Sequence, residues 1–362
     1  MAKRLKNPFF DILKANCHRF DPGEVYTLFK KVNRKRINNL CGLLSEYISK
    51  NVPAAFERRD GLSDYRANPY VLMTAASVTN LDDPTAFGRF LFNSKLYMAL
   101  ETSFGKSVEA AFVGQYPIRA DVRWTDPPEK QTEFDALNGL SRENRARQRT
   151  TSQWREIDRS CVVGKRRFMT SIKSGPNTIN DTQVQGMTAA IRDNIEIWAS
   201  QTKSSYPGVD NIDIVLGLTY GTDRTTNNKE NQILVKLLEY GFVEEDRVKY
   251  PGVLIDKKTK KIRVYRRIGR DFWSFIGQPD DPASAKFVFL EILLGLARAL
   301  ALGVENAAIE DRINAKIRQL AVALQNLQFS RSTLPEWIST DFNDDQLFWF
   351  ATALTAFYDE GV

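Results

Sequence analysis

Four residues in the middle of the chain combine types and spacing that could support chemistry: Glu156, Asp158, Ser171 and Lys173. A carboxylate beside a lysine suits the metal-assisted hydrolysis of a phosphodiester. In that chemistry the carboxylate holds Mg²⁺, which activates a water, and the ammonium positions the water or stabilises the developing charge. Because Mg²⁺ keeps several waters, one or two carboxylates and a substrate phosphate suffice. The alternative is a surface ion pair between Glu156 and Lys173, which contributes a fraction of about 1 kcal/mol.

A β-hairpin is needed to bring these residues together. Residues 164–165, Gly-Lys, lie between two alternating runs, and a two-residue connection containing glycine is the commonest hairpin turn. If this pair forms the turn, Asp158 lies opposite Ser171, and Glu156 lies opposite Lys173. Opposed residues point to the same face of a sheet, so the four side chains would form one polar group. A slip of one residue in either strand would separate them.

The hairpin and the residues after it resemble a known family. Asp158, a turn and then Ser171-Ile172-Lys173 resemble the signature of the PD-(D/E)XK nucleases, in which an acid on one strand precedes an acid, any residue and a lysine on the next. The longer string SIKSGPNTINDTQVQGM is similar to a subset of type II restriction endonucleases, and the resemblance spans about residues 100 to 277. It implies a restriction-endonuclease-like fold and Mg²⁺-dependent cutting of double-stranded DNA. Asp158 would then bind the metal, and Lys173 would orient or deprotonate the attacking water.

The chain departs from that signature at two positions. Ile157 stands where proline is common, and Ser171 stands where the second acid is expected, so a further carboxylate must come from elsewhere. The stretch SFGKSVEAAF resembles the Gly-Lys-x-x-Glu helix that precedes the hairpin in many members of the superfamily. This resemblance implies Glu109 as the second metal ligand, with Ser171 supplying a hydroxyl beside the site. Glu156 competes for the same role, and an ordinary exposed glutamate on an amphipathic helix remains the alternative for Glu109.

Composition argues against several other classes of protein. The 362 residues are 43% hydrophobic, which is enough for a sizeable core, and no run of about 18 apolar residues predicts a membrane span. The amino terminus lacks an apolar signal region, so we expect a cytoplasmic protein with no membrane partner. Three distant cysteines argue against a disulfide framework and a zinc site. The single histidine argues against multi-histidine metal sites and Ser-His-Asp catalysis.

Positive charge is concentrated in two segments of the chain. The net charge is +7, with ten basic and three acidic residues in 1–40, and ten basic residues against one acid in 247–270. Residues 280–362 carry six basic and twelve acidic residues. This distribution favours a surface that meets a polyanion on one side, although a single basic run is more often a solvated face.

Three polar segments are candidate DNA-binding elements. Residues 114–153 contain three prolines and few apolar residues and are interpreted as a long connection with an arginine-rich end. Residues 221–232 form a polar loop that could read bases or simply enter a helix, and residues 253–265 predict a second hairpin with a basic tip. The candidate DNA contacts are Arg142, Arg145, Arg147, Arg149, Asn177, Arg224, Asn227, Asn228, Lys257, Lys258, Lys260 and Lys261.

The order of the predicted elements indicates an α/β protein with mixed α and β content. Helical periodicity dominates residues 1–100, and the hairpin is followed by a helix near 181–201, a strand at 212–220 and a helix at 230–240. The mixed central sheet, flanked by helices, is implied by the resemblance. We expect a helical region at 1–100 that grips DNA backbone or forms a dimer contact, a nuclease core at 101–280, and a helical segment at 281–362 packing on that core.

The resulting hypothesis is a type II restriction endonuclease that uses Mg²⁺ to cut double-stranded DNA. Cutting both strands of a palindrome requires two sites related by a twofold axis, so we expect a homodimer. Two alternatives stay open: a DNA repair or recombination nuclease of the same fold, and a non-catalytic DNA-binding protein in which Ser171 marks a dead site.

Overall fold

Two compact units make up the computed structural model of the chain. One unit comprises Met1–Ser45 and Phe104–Leu302, and the other comprises Glu46–Ser103 and Gly303–Val362. These units cut across the three ranges expected from sequence, because residues up to Leu302 belong to the same unit as the sheet. The structure describes residues 12, 15, 22–59, 62–65, 68–79, 81, 83–107, 111–175, 178–225, 229–303, 307–329 and 343–358.

The first unit is built on a mixed six-stranded sheet, which confirms the predicted α/β class. The strands are β1 Arg159–Val163, β2 Arg166–Lys173, β3 Asn211–Leu218, β4 Phe242–Glu244, β5 Leu254–Asp256 and β6 Ile262–Ile268. Their spatial order is β1-β2-β3-β6-β5-β4. Strands β2, β3 and β6 run parallel, whereas β1 and the β4–β5 pair join the two sides antiparallel. The carboxyl ends of β2, β3 and β6 therefore lie at one edge of the sheet.

Helices account for most of the remaining described structure. In chain order they are α1 Pro22–Phe29, α2 Arg34–Glu46, α3 Val52–Glu57, α4 Pro69–Thr79, α5 Pro84–Ser107, α6 Pro128–Asp135, α7 Arg142–Thr151, α8 Asp181–Ser205, α9 Lys229–Glu239, α10 Arg270–Gly277, α11 Val288–Gly303, α12 Ala307–Phe329 and α13 Asp344–Tyr358.

The β1–β2 hairpin has the predicted turn and register. Gly164 has a φ of +57°, a conformation that glycine adopts without steric cost, and Val163 faces Arg166 across the turn. Pairing continues from there to Arg159 opposite Thr170. The register could be predicted from sequence because the turn residue and the alternation of the two strands specify the same pairing.

Both faces of the sheet are covered. On the α8 face, Met169 of β2 joins a core with Trp198 of α8 and Leu237 of α9. On the α10 face, Phe275 of α10 packs against Phe168 and Tyr265, with ring centroids 5.8 and 6.5 Å away. Because side chains alternate along β2, Ser171 and Lys173 belong to the α8 face.

Helix α8 begins where its sequence predicts. The Asn180 side chain accepts a hydrogen bond from the Gln183 backbone N–H at 2.8 Å, and the Gln183 side chain accepts one from the Asn180 N–H at 2.9 Å. This reciprocal capping box satisfies two backbone donors at the start of the helix. The capping box therefore defines where helix α8 begins after β2.

The predicted long connection at 114–153 is wrong, because it contains α6 and α7. Pro128 occupies the first position of α6, where proline is favoured, and the Ser141 side chain caps α7 by accepting from the Asn144 N–H. Neither helix buries a residue, so neither shows the apolar stripe by which a helix is recognised in sequence.

The second unit has its own apolar core. Phe56 and Phe92 pack edge to face with ring centroids 5.6 Å apart, and Leu320 of α12 belongs to the same cluster. Arg312 of α12 forms an ion pair with Glu57 of α3. Segments far apart in sequence therefore build this unit together. No helix within the described residues is long and apolar enough to cross a membrane.

Candidate active site

Asp158 lies directly before β1 and is held against β2. Its backbone N–H donates to the Thr170 carbonyl at 2.8 Å, which extends the hairpin register by one residue. Its Oδ2 accepts a hydrogen bond from the Ile172 N–H at 2.6 Å. The carboxylate is thus fixed beside the backbone between Ser171 and Lys173, as the register predicts.

Ser171 and Lys173 end β2 at the edge of the sheet where the parallel strands finish. Ser171 is 2% exposed, and its hydroxyl oxygen has no hydrogen-bond partner among the described residues. Lys173 is partly exposed, and its carbonyl accepts from the Thr219 N–H at 3.0 Å. The neighbouring Ser174 carbonyl accepts from the Thr219 hydroxyl at 2.7 Å. The lysine therefore stands on a rigid strand end rather than on a loop.

Glu156 does not pair with Lys173, so that part of the predicted polar group is wrong. Strand β1 begins only at Arg159, and Glu156 lies in a turn where its carboxylate accepts from the Arg155 guanidinium at 2.8 Å. The turn forms because Trp154 is buried, with its ring centroid 5.7 Å from that of Trp198. The Ile157 N–H then donates to the Trp154 carbonyl, which ends the extended pairing.

Glu109 lies outside the described residues, so its role stays a prediction. The end of helix α5, which precedes it, does reach the site. A Cβ built on Gly105 would lie 3.3 Å from the Cβ of Ser174, directly after Lys173. Gly105 of the expected Gly-Lys segment therefore lies next to the end of β2.

The donors of this site fit Mg²⁺ in part. Within the portion of the chain that the structure describes, no cluster of three His, Cys, Asp or Glu side chains is arranged to hold a metal ion. Asp158 could supply one carboxylate to the metal. The buried Ser171 hydroxyl could supply a second oxygen, because it has no hydrogen-bond partner among the described residues. This set suits Mg²⁺, which accepts few protein oxygens and completes its shell with water and phosphate. It does not suit a metal that needs a full protein cage.

Arg224 follows β3 at the edge where Lys173 ends β2, and the four candidate arginines of α7 lie close to Asp158 in sequence. Helix α7 carries Arg142, Arg145, Arg147 and Arg149 on a surface helix that ends seven residues before Asp158. Arg224 is exposed in the loop that leaves β3 after Leu218, the partner of Lys173 in the sheet. These placements are compatible with DNA contacts, which stay predictions. Asn177, Asn227 and Asn228 lie outside the described residues.

The basic tip of the second hairpin lies at the opposite edge of the sheet. Lys257, Lys258, Lys260 and Lys261 connect β5 to β6 and are exposed. Since Ile268 is level with Lys173, the six residues back to Ile262 place this tip about 20 Å away along the strands. Lys258 forms an ion pair of 2.7 Å with Glu196 of α8. The tip and Lys173 therefore do not form one continuous contact.

Glu230 is a buried acid that sequence patterns did not single out. It lies in the first turn of α9 with 0% exposure, and neither carboxylate oxygen has a hydrogen-bond partner among the described residues. Burial raises the pKa of its carboxyl above the ordinary value, and the nearby charge of Arg266 opposes that shift. The sequence places Glu230 at the start of a predicted helix after a polar loop, and that position carries no signal of burial. Burial of this position depends on how α9 packs on the sheet.

The structure thus joins three of the predicted catalytic residues, Asp158, Ser171 and Lys173, at one strand end, and separates Glu156 from them. The fold around them is a mixed sheet in which the lysine-bearing strand runs parallel to its inner neighbour. Comparison with protein-family models and with curated proteins finds no match for this chain, so its function is inferred from the residues of the site.

Proposed function

We propose that the protein is a type II restriction endonuclease, a cytoplasmic homodimer that hydrolyses phosphodiester bonds of double-stranded DNA with Mg²⁺. The observation that supports this most is the position of the Asp158 carboxylate, which is fixed to the backbone of β2 between Ser171 and Lys173. Residues 171–187, which begin within β2, also have the sequence that resembles type II restriction endonucleases. An acid and a lysine on a rigid sheet edge suit a reaction in which positioning and charge stabilisation provide most of the rate.

The roles of the residues follow from their chemistry. Mg²⁺, when bound, supplies a Lewis acid for the phosphate and lowers the pKa of a coordinated water. Asp158 would hold the metal through its carboxylate, which the hydrogen bond from the Ile172 N–H keeps in place beside β2. The Ser171 hydroxyl would supply a further oxygen, and Lys173 would orient the attacking water or stabilise the charge that develops on phosphate. Glu109 is proposed as the second acid, because the helix that leads to it contacts Ser174.

Incubation of the purified protein with plasmid DNA and Mg²⁺ tests the proposal. We expect discrete fragments from the wild-type protein, and none from Asp158→Asn or Lys173→Ala. Asp158→Asn is preferred to alanine because the amide oxygen can still accept from the Ile172 N–H, so the hairpin stays folded. Arg192→Gln, at an exposed site on α8, serves as the control and should cut normally. Cutting by Lys173→Ala at the wild-type rate would contradict the assignment.

A non-catalytic DNA-binding protein is the second candidate. It is favoured by one observation: the described part of the site holds a single carboxylate, and Ser171 occupies the place of the other. The same assay separates the two candidates, since a shift of DNA in a gel without any cutting at millimolar Mg²⁺ supports the non-catalytic protein.

A further inference from the structure

A cavity beside the candidate active site is lined by three arginines. It has a volume of about 590 Å³, and its wall includes Thr222, Gly252 and Tyr265 together with Arg266, Arg267 and Arg270. We call it the arginine cavity. A second cavity of about 510 Å³ shares Tyr265 and Arg267 with it.

The cavity lies at the same sheet edge as Lys173. Lys173 pairs with Leu218 of β3, which pairs in turn with Ile268 of β6 at the cavity wall. Two strand spacings, about 10 Å, therefore separate the Lys173 backbone from Ile268. Because side chains alternate along β6, Arg267 belongs to the α10 face together with Tyr265, whereas Lys173 belongs to the α8 face.

Most charged groups around the two cavities are already paired. Arg266 pairs with Asp223 at 2.7 Å, Arg263 pairs with Glu245 at 2.6 Å, and Arg166 forms an ion pair with Asp213. Asp271 adds a negative charge at the wall, but it lies in the first turn of α10, where free backbone N–H groups stabilise an acid. The net positive charge of the wall therefore comes from Arg267 and Arg270.

Arg267 differs from these arginines because no carboxylate lies within ion-pair distance of it in the described part of the chain. Its Nε is buried and has no hydrogen-bond partner there. The guanidinium stacks over the ring of Tyr265 at 4.9 Å, and the Tyr265 hydroxyl is fixed by a 3.0 Å hydrogen bond to Asp213. A half-buried guanidinium without an anion is unfavourable, so this position is suited to receive one.

Phosphate is the anion that this arrangement fits. Stacking uses the face of the guanidinium and leaves its planar donors available for a two-point contact with phosphate oxygens. At the rim, Gly269 has a φ of +56°, and a Cβ there would lie 2.6 Å from the Gly221 carbonyl. Glycine thus allows the two loops of the cavity wall to approach closely, and this position does not tolerate a side chain.

We infer that the arginine cavity binds a phosphate group through Arg267, and that this phosphate belongs to the backbone of the bound DNA. The assignment of DNA as the source depends on the proposed function. A free phosphate or a mononucleotide could supply the same group, and the test separates the two sources.

The test compares Arg267→Gln and Arg267→Lys with the wild-type protein. Binding of a short mixed-sequence duplex is measured by fluorescence anisotropy in EDTA across a range of salt concentrations, so that no cutting is needed. We expect Arg267→Gln to bind roughly threefold more weakly and to lower the slope of log affinity against log salt by about one. Arg267→Lys keeps the charge and should retain the slope. The control Arg192→Gln, whose arginine already pairs with Asp193, should behave as wild type.

Thermal denaturation with inorganic phosphate or AMP forms the second arm. If these ligands raise the melting temperature of the wild-type protein but not of Arg267→Gln, while duplex binding is unchanged, the phosphate site is supported and DNA as its source is overturned. If Arg267→Gln alters neither measurement, the site itself is overturned. A wild-type protein that binds duplex with the expected slope but does not cut with Mg²⁺ would contradict the proposed function and leave the site intact.

Discussion

Ser171 of β2 has a buried hydroxyl without a hydrogen-bond partner among the described residues, at the position where the resemblance predicts an acid. A buried polar group with no hydrogen bond costs about 1 to 3 kcal/mol, so its presence in a strand is explained best by a ligand. Asp158 is the opposite case, because its carboxylate is already anchored by the Ile172 N–H. This hydrogen bond restricts the rotation of the Asp158 carboxylate. The two residues together therefore offer the oxygens on which the proposed chemistry depends.

Replacing Ser171 by alanine is expected to affect metal use more than stability. Because the hydroxyl has no partner in the described structure, its removal should leave the free energy of unfolding unchanged or raise it by up to about 1 kcal/mol. Cutting should slow roughly tenfold and require more Mg²⁺. The measurements are thermal denaturation and the Mg²⁺ dependence of plasmid cutting.

The control for that experiment is Thr170→Val. Thr170 is also buried, but its hydroxyl donates to the Val215 carbonyl at 3.1 Å and it belongs to the other face of β2. It should lose stability and keep a normal Mg²⁺ dependence. An unchanged Mg²⁺ dependence in Ser171→Ala would remove Ser171 from the site.

Glu230→Gln is expected to stabilise the protein at neutral pH. Burial raises the folded-state pKa of Glu230, so the folded state binds its proton more tightly than the unfolded state does. This contribution to stability is complete below the ordinary pKa and is lost as pH rises through the raised value. Glutamine does not ionise, so the melting temperature should rise by about 2 °C or more at pH 7 and by little below about pH 4.

Melting curves recorded across that pH range check the prediction, with Glu239→Gln at the exposed end of the same helix as the control. An equal rise at both ends of the range would mean that packing, and not charge, explains the gain.

At the level of secondary-structure elements, the residues of the candidate site lie at strand ends. Glycines near these ends determine how closely other elements approach them. Gly217 of β3 lies under α10, where a Cβ would be 2.4 Å from the Phe272 ring and 3.1 Å from the Ser171 carbonyl. Gly175, after β2, lies against Tyr220, where a Cβ would be 2.2 Å from the ring. The two contacts are similarly short, but their neighbours differ. Phe272 is fully buried, whereas Tyr220 is 54% exposed.

This difference predicts unequal costs for two alanine substitutions. Gly217→Ala forces a packed ring and the adjacent strand to shift, which typically costs about 1 to 3 kcal/mol. Gly175→Ala should cost less than about 1 kcal/mol, because the exposed Tyr220 ring can rotate away. Chemical denaturation of both variants measures the two free energies. A larger loss for Gly175→Ala would show that Tyr220 is held in place by the turn after Lys173.

At the scale of the whole molecule, the proposed cutting of both strands requires two copies of the site. One chain provides one Asp158–Lys173 strand end, so a palindromic site calls for a twofold dimer. The chain also separates its basic segments: the lysine tip after β5 lies about 20 Å from the level of Lys173. Contacts at the two edges would therefore reach different parts of a duplex.

Sedimentation velocity tests the dimer directly. We expect a species of twice the mass of one chain at micromolar concentration, and an Asp158→Asn variant that sediments identically. Mixing wild-type and Asp158→Asn chains should then produce DNA nicked in one strand, because a mixed dimer has one working site. A protein that remains a monomer on duplex DNA and still cuts both strands at once would contradict this prediction.

Features that depend on neighbouring residues in the chain are predictable from sequence. The hairpin turn at Gly164, the register from Val163 to Arg159 and the start of a helix near residue 181 follow from local backbone preferences and strand alternation, and all three are present. The α/β class follows from the order of the elements. Asp158, Ser171 and Lys173 meet for the same reason, since a two-residue turn converts spacing along the chain into proximity.

Features that depend on burial by distant segments are seen in the folded structure and are absent from the sequence patterns. Glu156 lies outside the hairpin because Trp154 packs on Trp198 of α8, a residue more than forty positions away in the sequence. Helices α6 and α7 bury no residue, so their sequences lack the apolar periodicity from which a helix is predicted. Packing on the sheet buries polar atoms of Glu230 and Arg267 that have no hydrogen-bond partner among the described residues. Desolvation is a property of the packed molecule, and it is therefore the part of the site that sequence patterns do not contain.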